Sequence, residues 1–174
     1  MRFREIAVVA LVCLVPGLAS AQEPTGKAAV ISIQPISAML TVYSGEVELA
    51  MSRSATIGVG ATYWGSGFID GDFNYASGDV KIRYYPEGRP FQGFSFGGSV
   101  GYTHLGATDN TTTGSAGGPS IGVMLDYNWL LGAQKAFYIG LGLGAKTLFI
   151  SDKDVADEAT LHYPTMRLSV GWAF

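Results

Sequence analysis

From residue 165 to its last residue the chain alternates without a break. Met166, Leu168, Val170, Trp172 and Phe174 take one set of positions; Thr165, Arg167, Ser169, Gly171 and Ala173 take the other. Successive side chains of a β-strand point to opposite faces. This segment therefore has one wholly apolar face, aromatic at its end, and one small or polar face that carries a cation. The same period of two runs through most of the chain, and it leaves few folds open.

Seven further strands are predicted from it. The first, Val30–Leu40, is the least regular, because Pro35 removes a ladder donor. Gly45–Met51 sets Val47, Leu49 and Met51 against Glu46, Glu48 and Ala50. Ala55–Trp64 sets Ile57, Val59, Ala61 and Tyr63 against Thr and Gly. Tyr75–Tyr85 opposes Val80, Ile82 and Tyr84 to Asp79, Lys81 and Arg83. Gln92–Thr103, Pro119–Trp129 and Ala136–Thr147 repeat the pattern, with Gly, Ser, Met124, Asp126, Asn128, Tyr138 and Lys146 on the second face. Strands of about 9–12 residues suit a tilted membrane crossing, and an even number of them is the rule in bacterial barrels. Ser52–Ser54, Pro86–Pro90 and the Gly132 region read as short turns. Gly65–Asn74, His104–Gly118 and Leu148–His162 read as long loops, rich in turn formers, and Thr41–Ser44 as a short connection.

Composition separates a barrel from a soluble β-sandwich, which also has short alternating strands. The chain is 48% hydrophobic but only 14% charged, against about 25% charged in soluble domains. Its second face is dominated by Gly, Ser, Thr and Ala, too small and too poor in charge for a solvated surface. Aromatics gather at strand ends, with Tyr84, Tyr127, Trp129, Trp172 and Phe174 at one rim and Tyr63 and Tyr102 at the other, as interfacial girdles do. The fold class that follows is all-β, an eight-stranded antiparallel up-and-down transmembrane β-barrel over residues 30–174. Its short turns lie at the end that holds both termini.

The N-terminus reads as an export signal over residues 1–21. Arg2 and Arg4 precede an apolar stretch from Ile6 to Val15, Pro16-Gly17 breaks it, and Ala19-Ser20-Ala21 is a cleavage pattern. Residues 22–29 are then a periplasmic lead-in, and Gln22 is the expected mature N-terminus. Cys13, the one cysteine, lies inside the signal after Val12, where lipidation needs a small residue. The mature chain is thus expected to lack disulfides. Without Arg2, Arg4 and Glu5 the 11 basic and 14 acidic residues become nine and thirteen, a net charge of −4, which excludes a nucleic-acid-binding footprint.

Val30–Leu40, Gly45–Ser52 and Gly58–Trp64 resemble the first strands of small single-barrel outer-membrane proteins of the OmpX and OmpA-barrel kind. Lys81–Pro86, Asp126–Gly132 and the closing R-L-S-V-G-W-A-F match the same pattern. The resemblance implies the outer membrane of a Gram-negative-type bacterium, with both termini periplasmic. It also implies contact with outer-membrane lipids and lipopolysaccharide, and a monomer. The barrel-assembly machinery would read Leu168, Val170, Trp172 and Phe174. No family catalytic motif carries over, no cofactor is implied, and the absence of a peptidoglycan-binding domain after the barrel leaves wall tethering unsupported.

Three functions fit such a chain: a structural or surface-interaction protein, a small gated channel, and a lipid-A-modifying enzyme. The enzyme would need a His beside a Ser and a carboxylate. His104 has no Ser two residues on, and His162 follows an acidic loop with Ser151 eleven residues upstream. The run Ser151–Glu158 resembles a calcium loop but lacks the Gly and the bidentate Glu of one. Gly140–Gly144 mimics a phosphate loop with no helix or Lys-Ser/Thr pair after it. The second face supplies the sharper candidate. It sends Glu46, Glu48, Asp79 and Asp126 into the lumen with Lys81, Arg83, Lys146 and Arg167, four acids with four bases. Buried charges need partners. Counting along the strands places Arg167 and Lys146 near Glu46, Glu48 and Asp79, with Lys81 and Arg83 lower, near Asp126. The expected pairs are Arg167 with Glu46 or Glu48, and Lys81 or Arg83 with Asp126.

Overall fold

The structure, a computed structural model, describes residues 26–39, 41–65, 72–109, 112–150 and 159–174. The export signal, residues 22–25 of the lead-in and Ser151–Glu158 lie outside them. Eight strands are present: β1 (Ala29–Ile33), β2 (Val42–Ala50), β3 (Ala55–Gly65), β4 (Asp72–Tyr84), β5 (Gly93–Asp109), β6 (Thr112–Leu131), β7 (Phe137–Ile150) and β8 (Ala159–Ala173). Each pairs antiparallel with its neighbour, and β8 pairs with β1, so the sheet closes on itself. A sandwich has open edges; this sheet has been joined into a ring.

The seam is short. Val30 to Ile33 face Ala173 to Val170, and beyond them the Phe174 N–H donates to Ala29 O at 2.9 Å. Following the register from Val30 through Glu48, Gly58, Lys81, Ser99, Gly122, Lys146 and Tyr163 brings the ladder back to β1 level with position 40, a stagger of ten residues. Closure of eight strands requires tilt and stagger of this kind.

The alternation fixes the faces. Val59, Val80, Ile82, Val100, Val123, Leu125, Leu141, Leu143 and Met166 stand exposed on the outer wall. Thr56, Ser77, Arg83, Ser95, Thr103, Ser120, Asp126, Asn128, Lys146 and Ser169 are buried in the interior. A soluble domain arranges these two classes the other way round.

Several boundaries differ from the sequence expectation. The first strand ends at Ile33, not Leu40, and Pro35–Met39 forms a helical turn, α1. Pro35 has no N–H for the ladder but a φ suited to a first helical position. Ala38 N–H then closes the turn on Gln34 O at 3.2 Å. Residues 104–118 are mostly strand rather than loop. The β5–β6 ladder continues from Thr103↔Gly118 to Asp109↔Thr112, because cross-strand pairing satisfies the backbone whatever the turn propensity of Thr and Gly. Likewise β3 runs to Gly65, β4 starts at Asp72, and β7 and β8 reach Ile150 and Ala159. The strands thus run from 5 to 20 residues. The short turns and both strand ends of the seam share one rim, the turn end. The opposite rim is the loop end.

Candidate functional site: the charged lumen

Room for the site comes from glycine. A Cβ on Gly140 would stand 2.6 Å from the Tyr138 hydroxyl and 2.7 Å from Arg167 Nη2, and one on Gly60 would stand 3.0 Å from Lys81 Nζ. Cβ atoms on Gly142 and Gly101 would fall on the carboxylates of Asp126 and Asp79. These inward glycines leave floor space over which long side chains of neighbouring strands lie.

Arg83 is the hub. Its Nη1 donates to Glu46 Oε1 at 2.5 Å and Glu48 Oε2 at 2.8 Å, and its Nε donates to Asp126 Oδ2 at 2.9 Å. Lys81 Nζ reaches Glu46 Oε2 at 2.5 Å. Arg167 lies 3.3 Å from both Glu46 and Asp126, and its Nη2 donates to the Tyr138 hydroxyl at 2.6 Å and Asn128 Oδ1 at 3.2 Å. Thr56 and Tyr85 hydroxyls complete Glu48, at 2.5 and 3.0 Å. Lys146 bonds Asp79 at 2.6 Å and Ser77 at 2.9 Å as a separate pair. All eight charged side chains are thus in ion pairs. Arg83 is only 1% exposed and Glu48 only 2%, so desolvation is nearly complete and partial pairing would be costly.

The two levels expected from residue counting merge. Lys146 does meet Asp79, Arg167 meets Glu46, and Arg83 meets Asp126. But Lys81 and Arg83 also reach Glu46, Arg83 reaches Glu48, and Arg167 reaches Asp126. Tilted strands and side chains long enough to span a strand bring distant register positions together.

Toward the turn end the lumen becomes apolar. Val30, Ala50, Phe91, Leu130, Tyr138 and Ala173 form one buried cluster, and the Tyr85 and Phe91 rings meet edge-on with centroids 6.5 Å apart. Phe91 belongs to the β4–β5 turn, which folds back into the mouth with Phe91 at φ 63°. Sequence reasoning missed this floor. Its signal was the inward phase itself, which carries Tyr85 beyond Arg83 and Leu130 beyond Asn128. Toward the loop end, a cavity of about 360 Å3 opens above the charges, lined among others by Trp64, Tyr75, Tyr163, Lys81 and Lys146.

The remaining candidates lie elsewhere. Tyr63, Tyr84, Tyr102, Tyr127, Trp129, Trp172 and Phe174 are all exposed on the outer wall, with the Tyr127 and Trp129 rings 4.7 Å apart. Leu168 and Val170 share that face, half-buried. His104 and His162 sit on β5 and β8, which are not neighbours, and are strand residues rather than loop residues. Both are exposed, and His162 Nδ1 meets Thr147 Oγ1 at 2.9 Å, not a carboxylate. Gly140–Gly144 is interior strand.

No family model matches the chain, and no curated protein matches it. Among solved structures it is similar to the N-terminal β-barrel domain of Pseudomonas aeruginosa OprF, with a TM-score of 0.50 and 15% identity. The match covers 85% of this chain and 98% of that one. At this identity the likeness speaks for the fold alone, a closed eight-stranded antiparallel barrel.

Proposed function

We propose that the protein is an integral outer-membrane barrel of the small OmpX and OmpA-barrel kind, a monomer with both termini in the periplasm. Its role in this reading is structural, holding a loop-end surface outside the cell. The export pattern at residues 1–21 supports delivery to the envelope. The outer wall supports insertion: an unbroken apolar band with aromatics at its rims needs a hydrocarbon surround. The observation that supports a sealed, non-conducting lumen is the buried charge network with an apolar cluster below it. Cell fractionation and planar-bilayer recording test it together. Recovery in the soluble periplasm would defeat the membrane reading, and a large steady wild-type conductance would defeat the seal.

A gated channel is the second reading, and one observation favours it. Glu46 Oε1 takes both Arg83 and Arg167, while Arg83 Nη2 and Arg167 Nε have no hydrogen-bond acceptor. Donors outnumber well-placed acceptors, so partner exchange needs no new charge. Voltage-dependent openings in wild-type recordings would support it.

A further inference from the structure

Four cations lie outside the lumen at the turn end. Lys27 precedes β1, and Arg53, Arg89 and Lys135 occupy the β2–β3, β4–β5 and β6–β7 turns, so every turn at the turn end holds one cation. Arg53, Arg89 and Lys135 are exposed and Lys27 is half-buried. None of the four is in an ion pair among the described residues. Glu87 is the one acid in those turns. With four of each sign neutralised inside, the turn end is a basic rim among the described residues.

The basic rim coincides with the heavier aromatic belt. Tyr84, Tyr127, Trp129 and Trp172 stand exposed on the outer wall at the strand ends that lead into these turns. Such rings settle at the bilayer interface, which puts the next residues of the chain at head-group depth. There each cation beside an anionic surface adds attraction that decays within a Debye length.

We propose that Lys27, Arg53, Arg89 and Lys135 form a collar that binds anionic phospholipid head groups on the leaflet facing the turn end. The partner is the lipid surface. Each ammonium or guanidinium can meet a phosphate directly, and Arg can do so in bidentate fashion. The inference rests on the membrane reading above and adds a lipid preference that a net acidic protein would not otherwise show.

Tryptophan reports it. Trp129 and Trp172 face outward at the turn end, while Trp64 lines the lumen cavity. The full mature chain is refolded into phosphatidylcholine vesicles containing either brominated phosphatidylglycerol or brominated phosphatidylcholine. At low salt the anionic lipid should quench with about threefold or greater relative affinity, falling toward one in high salt. The preference should vanish in Lys27→Gln/Arg53→Gln/Arg89→Gln/Lys135→Gln, and halve in Arg53→Gln/Lys135→Gln, which keeps the test alive should the fourfold variant misfold. Equal quenching by the two lipids overturns the collar and leaves the membrane reading standing. So does a preference that survives substitution. Quenching by neither lipid overturns both.

Discussion

Arg83 on β4 and Asp126 on β6 are joined across an intervening strand, Nε to Oδ2 at 2.9 Å, over the inward face of β5. The bridge is possible because β5 presents Ser95 and Gly97 there. The same guanidinium holds Glu46 and Glu48, so its loss would leave Glu48 without a cation, while Glu46 and Asp126 would fall back on Lys81 and Arg167. Arg83→Met should therefore cost about 3–5 kcal/mol or prevent folding. Urea titration of the refolded barrel measures it, and a midpoint within error of the wild type would show that the network is not structural.

Inward and outward glycines should behave differently. Gly140→Ala pushes a methyl onto Tyr138, Arg167 and Asn128 and should cost about 1–3 kcal/mol. Gly78→Ala, on the outer wall with no atom within 4 Å of the new Cβ, should be neutral or slightly stabilising. The same titration compares them, and equal effects would remove the space-filling account.

A charge on the outer wall tests the solvent that surrounds it. Leu141→Arg should destabilise the barrel in bilayers by about 2–4 kcal/mol. An unchanged stability in vesicles would mean that this face meets water.

At the seam, Phe174→Ala keeps the backbone bonds to Ala28 and Ala29 and removes only an exposed ring. The folded barrel should lose little stability in vitro, whereas its outer-membrane level in cells should drop several-fold if the assembly machinery reads that ring. Quantitative blotting of the membrane fraction decides it.

The seal has two layers, and they should fail separately. Arg167→Ala leaves the floor of Phe91, Leu130 and Tyr138 in place, so currents should stay small. Adding Phe91→Ser and Leu130→Ser should open a measurable path. Single-channel recording of the three-substitution variant tests this; silence there would place the barrier elsewhere in the lumen.

What could be read from the sequence was phase. A period of two survives any uncertainty about where a strand starts, so the face of Glu46, Arg83 or Lys146 followed directly from Val47, Ile82 or Leu143 at odd spacing from it. Extent was not readable. Thr and Gly within residues 104–109 and 112–118 carry turn propensity, yet β5 and β6 pair through them, because a ladder once begun satisfies each added backbone group. The turn at Pro35–Met39 is a single helical turn, too short for a periodic signal. Partner choice was legible only in part. Counting residues gives height along one strand, while Arg83 chooses among acids on β2 and β6 according to a stagger that no single segment contains.

The even balance of four acids and four bases has a consequence for descent. Glu46 answers to Lys81, Arg83 and Arg167 together, so losing one of them leaves Glu46 paired but gives the desolvated interior a net negative charge. Lineages of this barrel can vary its interior only by compensated exchanges: an acid and a base lost together, or a pair swapped between strands. The outer wall has no such rule, since any apolar residue serves there. Descendants should thus drift freely on the lipid side and in matched steps within.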